Sequence, residues 1–127
     1  MKLGAIILFA VALTAGKPVP SLDEQRETAI KARMEMVLKD PESARYKFGP
    51  LECVRVTSGT EPGGKELWAG VAQKFLVNAK NSFGGYSGWS AFATLWVGQG
   101  PEIHQLLSPE DIAHQRIYLN FVPCVSK

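Results

Sequence analysis

Residues 71–97 read V-A-Q-K-F-L-V-N-A-K-N-S-F-G-G-Y-S-G-W-S-A-F-A-T-L-W-V. Two alternating runs flank a polar, glycine-rich reversal, the pattern of a strand, a hairpin turn and a second strand. In the first run Val71, Gln73, Phe75, Val77 and Ala79 share one face. Lys74, Asn78 and Lys80 share the other, interrupted by Ala72 and Leu76. The run extends back to Glu66, so a strand is predicted over Glu66–Ala79. The second run, Tyr86–Val97, places Trp89, Ala91, Ala93, Leu95 and Val97 opposite Ser90, Phe92, Thr94 and Trp96. Both of its faces are apolar, as in a central strand covered on both sides.

Working outward, Ser21 and Glu24 make an S-x-x-E capping box that opens a helix. Ile30, Met34, Val37 and Leu38 form its apolar stripe. Glu27, Lys31 and Glu35 lie on the other side at ion-pairing spacing. Asp40 precedes Pro41, which predicts a helix end near Lys39. A turn is expected at Asp40–Ser43, with Tyr46 and Phe48 pinning it to the core, then a strand over Leu51–Thr57 and a loop over Ser58–Lys65. Beyond the break at Gln99-Gly100-Pro101, Ser108-Pro109-Glu110-Asp111 starts a short second helix, expected to end near Leu119. Phe121–Val125 is then a tail carrying Cys124. The order predicts a single α+β domain over residues 21–127. Its expected form is an antiparallel sheet of three or more strands, an N-terminal helix packed on one face and a short C-terminal helix.

The first sixteen residues, M-K-L-G-A-I-I-L-F-A-V-A-L-T-A-G, have one early charge, an apolar run and small residues after it. This is the layout of a secretory signal peptide, and the run is short for a membrane span. Lys17–Pro20 is a short extended linker. Lys17 stands where a lipoprotein signal would place its cysteine, so no lipid or other stable membrane anchor is expected after cleavage. The expected destination is the periplasm or the exterior.

The whole chain has 14 basic and 12 acidic residues, a net charge of +2. No basic cluster of the kind that binds phosphate backbones stands out, so nucleic acid is not an expected partner. Cys53 and Cys124 are the two cysteines. A disulfide, a reactive thiol and a metal pair are the readings open to them. Export favours the disulfide, and neither an activating group nor a four-ligand zinc spacing accompanies the cysteines.

Val77–Trp89 is the densest unusual segment, with two Asn, three Gly and three aromatics. In one reading it is a shaped hairpin whose aromatics complete the core. In the other it is a recognition loop: Phe83, Tyr86 and Trp89 are apolar anchors, and Asn78, Lys80 and Asn81 are polar contacts.

Lys39–Gly49, K-D-P-E-S-A-R-Y-K-F-G, followed by Val77–Gly88, V-N-A-K-N-S-F-G-G-Y-S-G, resembles a family of short uncharacterised bacterial envelope proteins. Its members carry export signals, often of the lipoprotein kind, and show KDPxSAxF-like and VNAKNxFGGYxG-like segments. Members often have a cysteine just before the second segment, where this chain has Gln73–Leu76; its Cys53 sits on the preceding strand. The resemblance implies an exported envelope protein and no particular activity.

Enzyme constellations are sparse. Glu110, Asp111 and His114 fall on one helix, the spacing of a surface acid–His pair. Glu52, Glu61, Glu66 and Glu102 are carboxylates with nothing to mark two of them as facing one cleft. No nucleophile elbow, H-E-x-x-H or phosphate loop occurs. No catalytic, cofactor-binding or metal-binding set is therefore expected. The expectation is a monomeric, non-enzymatic interaction or structural module of the cell envelope, with an envelope protein or cell-wall component as partner. The alternative is a small cell-wall-acting hydrolase or inhibitor. A small-molecule carrier is a third reading, and it needs an apolar cavity between helix and sheet.

Overall fold

A computed structural model describes residues 18–58, 64–115, 119–122 and 124. The signal-like segment 1–16 and Glu61 lie outside them. The elements run α1 (Leu22–Met34), β1 (Arg45–Thr57), β2 (Glu66–Asn78), β3 (Ser90–Trp96), β4 (Ile103–Leu107), α2 (Pro109–Gln115) and β5 (Leu119–Val122). The strands form one antiparallel sheet in the order β4-β3-β2-β1-β5.

The sheet buries both faces of its centre. On one face α1 lays Ile30 and Met34 onto Phe75, Val77, Phe92 and Trp96. On the other, Val54, Ala72, Ala93, Leu95, Leu107 and Leu119 form a second cluster, with Ile112 of α2 packed against it. β3 is the shared wall: Phe92 through Trp96 are all buried, as its two apolar faces require.

The capping box forms, with Ser21 Oγ accepting from the Glu24 amide at 3.2 Å. The helix, however, ends at Met34 instead of near Lys39. The chain leaves in a turn, where the Val37 and Leu38 amides both donate to the Met34 carbonyl. Val37 is consequently exposed and off the packed stripe, while Leu38 still touches the core. Arg26, one turn before Ile30, is buried instead. Its guanidinium donates to the Gln99 carbonyl at 2.7 Å and pairs with Asp23, tying α1 to the β3–β4 turn. Arg26→Met keeps the packing volume but leaves the Gln99 carbonyl without its donor. It is expected to cost about 1–3 kcal/mol in urea denaturation.

β1 begins at Arg45, six residues before the expected start, so Tyr46 and Phe48 pack against the core, as expected, from within a strand. Pro50 disguises the continuity, because proline cannot donate to a ladder. A bulge between Phe48 and Leu51 absorbs Gly49-Pro50. Gly49 is required there: a Cβ at this position would lie 2.9 Å from the Lys74 carbonyl oxygen. The buried Gln73 side chain donates to the Gly49 carbonyl at 3.0 Å and closes the bulge. Burial raises the Tyr46 phenol above its ordinary value, and the nearby Glu35 carboxylate raises it further.

Two strands were not expected. β4 pairs with β3 after the reversal at residues 97–102, and its sequence I-H-Q-L-L alternates poorly. The second helix is described through Gln115, and Leu119, expected near its end, opens β5. Leu119 pairs with Val56 and is buried in the second cluster. β3 begins at Ser90, not Tyr86, which makes only a single bridge to Lys80.

Candidate functional site

The segment between β2 and β3 is a built turn. Asn81 Oδ1 accepts from the Phe83 amide at 2.9 Å and the Gly85 amide at 3.4 Å. The Asn81 amide donates to the Gly85 carbonyl at 2.9 Å, and Gly84 supplies the positive φ of 85° that closes the reversal. Asn78 Oδ1 accepts from the Gly88 amide at 3.1 Å. Both asparagine carbonyl oxygens therefore hold the backbone.

The aromatics behave differently. Phe83 is 95% exposed at the tip, Tyr86 is 39% exposed and Trp89 43%. The idea that these rings complete the core fails at Phe83 altogether. The other two are held at the surface by cations: the Arg45 guanidinium lies 4.4 Å from the Tyr86 ring centre, and Lys47 Nζ lies 4.4 Å from that of Trp89. Lys80 Nζ stands 5.8 Å from the Tyr86 ring.

Ser43 joins this turn to the segment before β1. Its hydroxyl accepts from the Lys80 amide at 2.9 Å and donates to the Asp40 carbonyl at 2.7 Å, and its carbonyl accepts from the Tyr86 hydroxyl at 3.0 Å. The two unusual sequence segments, 39–49 and 77–88, are thus one structural unit. Chain comparisons leave the unit unassigned. No family model, curated protein or solved structure matches the chain.

Ser43, Arg45 and Lys47 were not among the candidate residues. The signal for the two cations was their spacing of two at the start of a strand, which sends both to the face opposite Tyr46 and Phe48.

The other candidates do not converge. Glu110 and His114 are both exposed, and His114 Nδ1 meets the Glu110 backbone carbonyl at 2.8 Å instead of a carboxylate. Glu66 pairs with Arg55 at 2.7 Å, Glu52 with Lys74 at 3.6 Å, and Glu102 is exposed. Among the described residues no group of three or more His, Cys, Asp or Glu is placed to hold a metal. Asp111 instead caps α2: its carboxylate accepts from the Ser108 amide at 2.9 Å while Ser108 Oγ accepts from the Asp111 amide at 3.1 Å. These bonds, first the backbone one, and then the His114 charge hold the Asp111 carboxyl below its ordinary value of 3.8. A depressed acid stabilises the fold above its unfolded pKa and loses that stabilisation as pH falls through the folded one. The start of α2 is therefore expected to loosen in acid only below pH 3.8, and Asp111→Asn to remove that pH dependence. Amide exchange at residues 109–112 across pH 2–5 checks both.

Cys53 and Cys124 lie at disulfide distance, with Cα atoms 5.2 Å apart, which fits an oxidising compartment. Among the described residues no helix is long and apolar enough to cross a membrane.

Proposed function

We propose that this chain is an exported, non-enzymatic interaction module of the cell envelope whose working surface is the hairpin 78–89, docking on an envelope protein or cell-wall component. The signal-like residues 1–16 and the cysteine pair support export to the periplasm or exterior. The observation that carries the docking reading is Phe83, a large apolar ring almost fully in water on a turn fixed by the Asn81 bonds. Burying a phenylalanine in a partner releases roughly 1.5–3 kcal/mol. A turn already held in one conformation keeps most of that gain, because little ordering remains to be done on binding. Arg45, Lys47 and Lys80 around the aromatics favour an acidic partner surface.

The same protruding ring suits an inhibitor that inserts one aromatic side chain into the cleft of a cell-wall enzyme. That form of the second reading shares the same surface and differs only in the partner.

The test is quantitative capture from envelope extract with the mature protein beside Phe83→Ala, followed by affinity measurement on the captured partner. A central anchor of this kind is expected to cost at least about 2 kcal/mol, roughly a thirtyfold loss of affinity, when removed. Thermal stability should not move, because Phe83 is 95% exposed and its truncation opens no cavity. Equal affinity for both proteins would return the hairpin to pure architecture.

A further inference from the structure

α1 and the front of β1 enclose a groove of about 470 Å³, within the roughly 300–1,000 Å³ of small-ligand sites. Tyr46 and Phe48 line it from β1, their rings 5.4 Å apart and parallel within 3°. Glu27, Lys31 and Glu35 line it from the helix side, at i, i+4 and i+8. That is the spacing of helix ion pairs. Yet among the described residues Lys31 pairs with neither carboxylate, and neither carboxylate pairs with another cation. Lys31 Nζ instead stands 5.8 Å from the Tyr46 ring centre and 5.9 Å from that of Phe48. Lys47 rests on Trp89 at 4.4 Å, so by comparison the Lys31 amine stands off the rings. The Tyr46 hydroxyl has no hydrogen-bond partner among the described residues. Burial, and then Glu35, raise this phenol above its ordinary value, so it remains an O–H donor.

We propose that this groove binds a neutral sugar ring, with its C–H face on Tyr46 and Phe48 and its hydroxyls bonded to Glu27, Lys31, Glu35 and the Tyr46 phenol. The charges select against ions. An anion would face two carboxylates, and a cation would have to displace Lys31 from above the rings. A sugar hydroxyl both donates and accepts, so it satisfies a carboxylate, an amine and a phenol alike. The ring carbons of the sugar meanwhile cover the apolar bodies of the two aromatics. Hydrogen bonds to charged groups are the stronger class, and three of the four polar partners here are charged. None of the residues lining the groove belongs to the hairpin 78–89, so the site stands whether or not Phe83 anchors a partner.

The experiment is calorimetric titration of the oxidised mature protein with three neutral disaccharides, cellobiose, maltose and N,N′-diacetylchitobiose, with amide chemical shifts recorded alongside. Saturable one-to-one binding of at least one of them is expected, with a Kd of about 1 mM or tighter. The shifts should centre on residues 27–35 and 44–48. For the sugar that binds, Tyr46→Phe keeps the ring and should weaken binding about threefold, the loss of one neutral hydrogen bond. Glu27→Ala, Lys31→Ala and Glu35→Ala should each weaken it about tenfold through a lost charge-assisted bond, at an unchanged melting temperature. Phe83→Ala should bind the sugar as the parent does. Trialanine, a neutral peptide that also carries donors and acceptors, should not bind. The proposal is overturned if none of the three sugars saturates, if the shifts fall on residues 78–89 or Phe83→Ala loses the sugar, if trialanine binds equally well, or if all four groove variants retain the parent affinity.

Discussion

Phe75→Ala is expected to lower the unfolding free energy by about 3–5 kcal/mol, against a change within about 0.5 kcal/mol for the same substitution at Phe83. Phe75 is 2% exposed and lies on the central strand β2, beneath Ile30 and Met34 of α1. Its ring is stacked on Phe92 at 5.6 Å and tilted against Phe48 at 6.0 Å and Tyr46 at 6.2 Å. Those neighbours sit on β1 and β3, strands paired to β2 on either side at that register. The ladders hold the strand backbones apart, so the space left by the ring cannot close by collapse. The cavity cost then adds to the lost transfer free energy. Urea denaturation with an unchanged slope would show that the native state lost packing without changing the surface exposed on unfolding. A loss below about 1 kcal/mol would mean that α1 can settle into the gap, and that the helix face is a loose layer.

The contrast between these two phenylalanines, eight residues apart, also marks what the sequence discloses. Phe75 belongs to a period-two pattern with Val71, Gln73, Val77 and Ala79, and a pattern repeated that often assigns strand and face together. The same logic found β3 and its two covered sides. It missed the front of β1, because Gly49-Pro50 reads as a break and only the bulge shows that the strand continues through it. It missed β4 and β5 because neither carries its own signal. β4 is specified by register against β3, and β5 by register against β1 and by burial of Leu119. At the hairpin, the local chemistry of Asn78, Asn81 and Gly84 was legible, since those residues bond within their own turn. The clasp of Ser43 to Lys80 and Tyr86 was not: its partners lie 37 and 43 residues apart, and no local pattern encodes such a distance.

Reducing the Cys53–Cys124 pair, or replacing it with Cys53→Ala and Cys124→Ala, is expected to remove about 4 kcal/mol of stability. The cysteines are 71 residues apart. Holding a loop of that length closed in the unfolded chain removes entropy that the reduced chain recovers, and the chain-entropy model gives the figure. The effect therefore acts mostly on the unfolded state, and the native sheet should survive it. β5 has its own hold on β1, through the register of Cys53–Val56 with Leu119–Val122, the burial of Leu119, and Phe121 beneath Lys74. These contacts hold β5 without the bridge, so amides of β1, β2 and β3 are expected to keep their relative order of protection. Two observables separate an unfolded-state effect from a native-state one. If the bridge acts on the unfolded chain, the denaturant slope rises on reduction, because the opened chain exposes more surface, and the native spectrum stays the same. If the bridge instead holds β5 in place, the slope stays level and the exchange of residues 53–56 rises first. A loss of about 4 kcal/mol from a total of roughly 5–15 would leave a folded but marginal protein in a reducing compartment. Unchanged midpoint and slope on reduction would show that the two thiols do not pair in the folded chain.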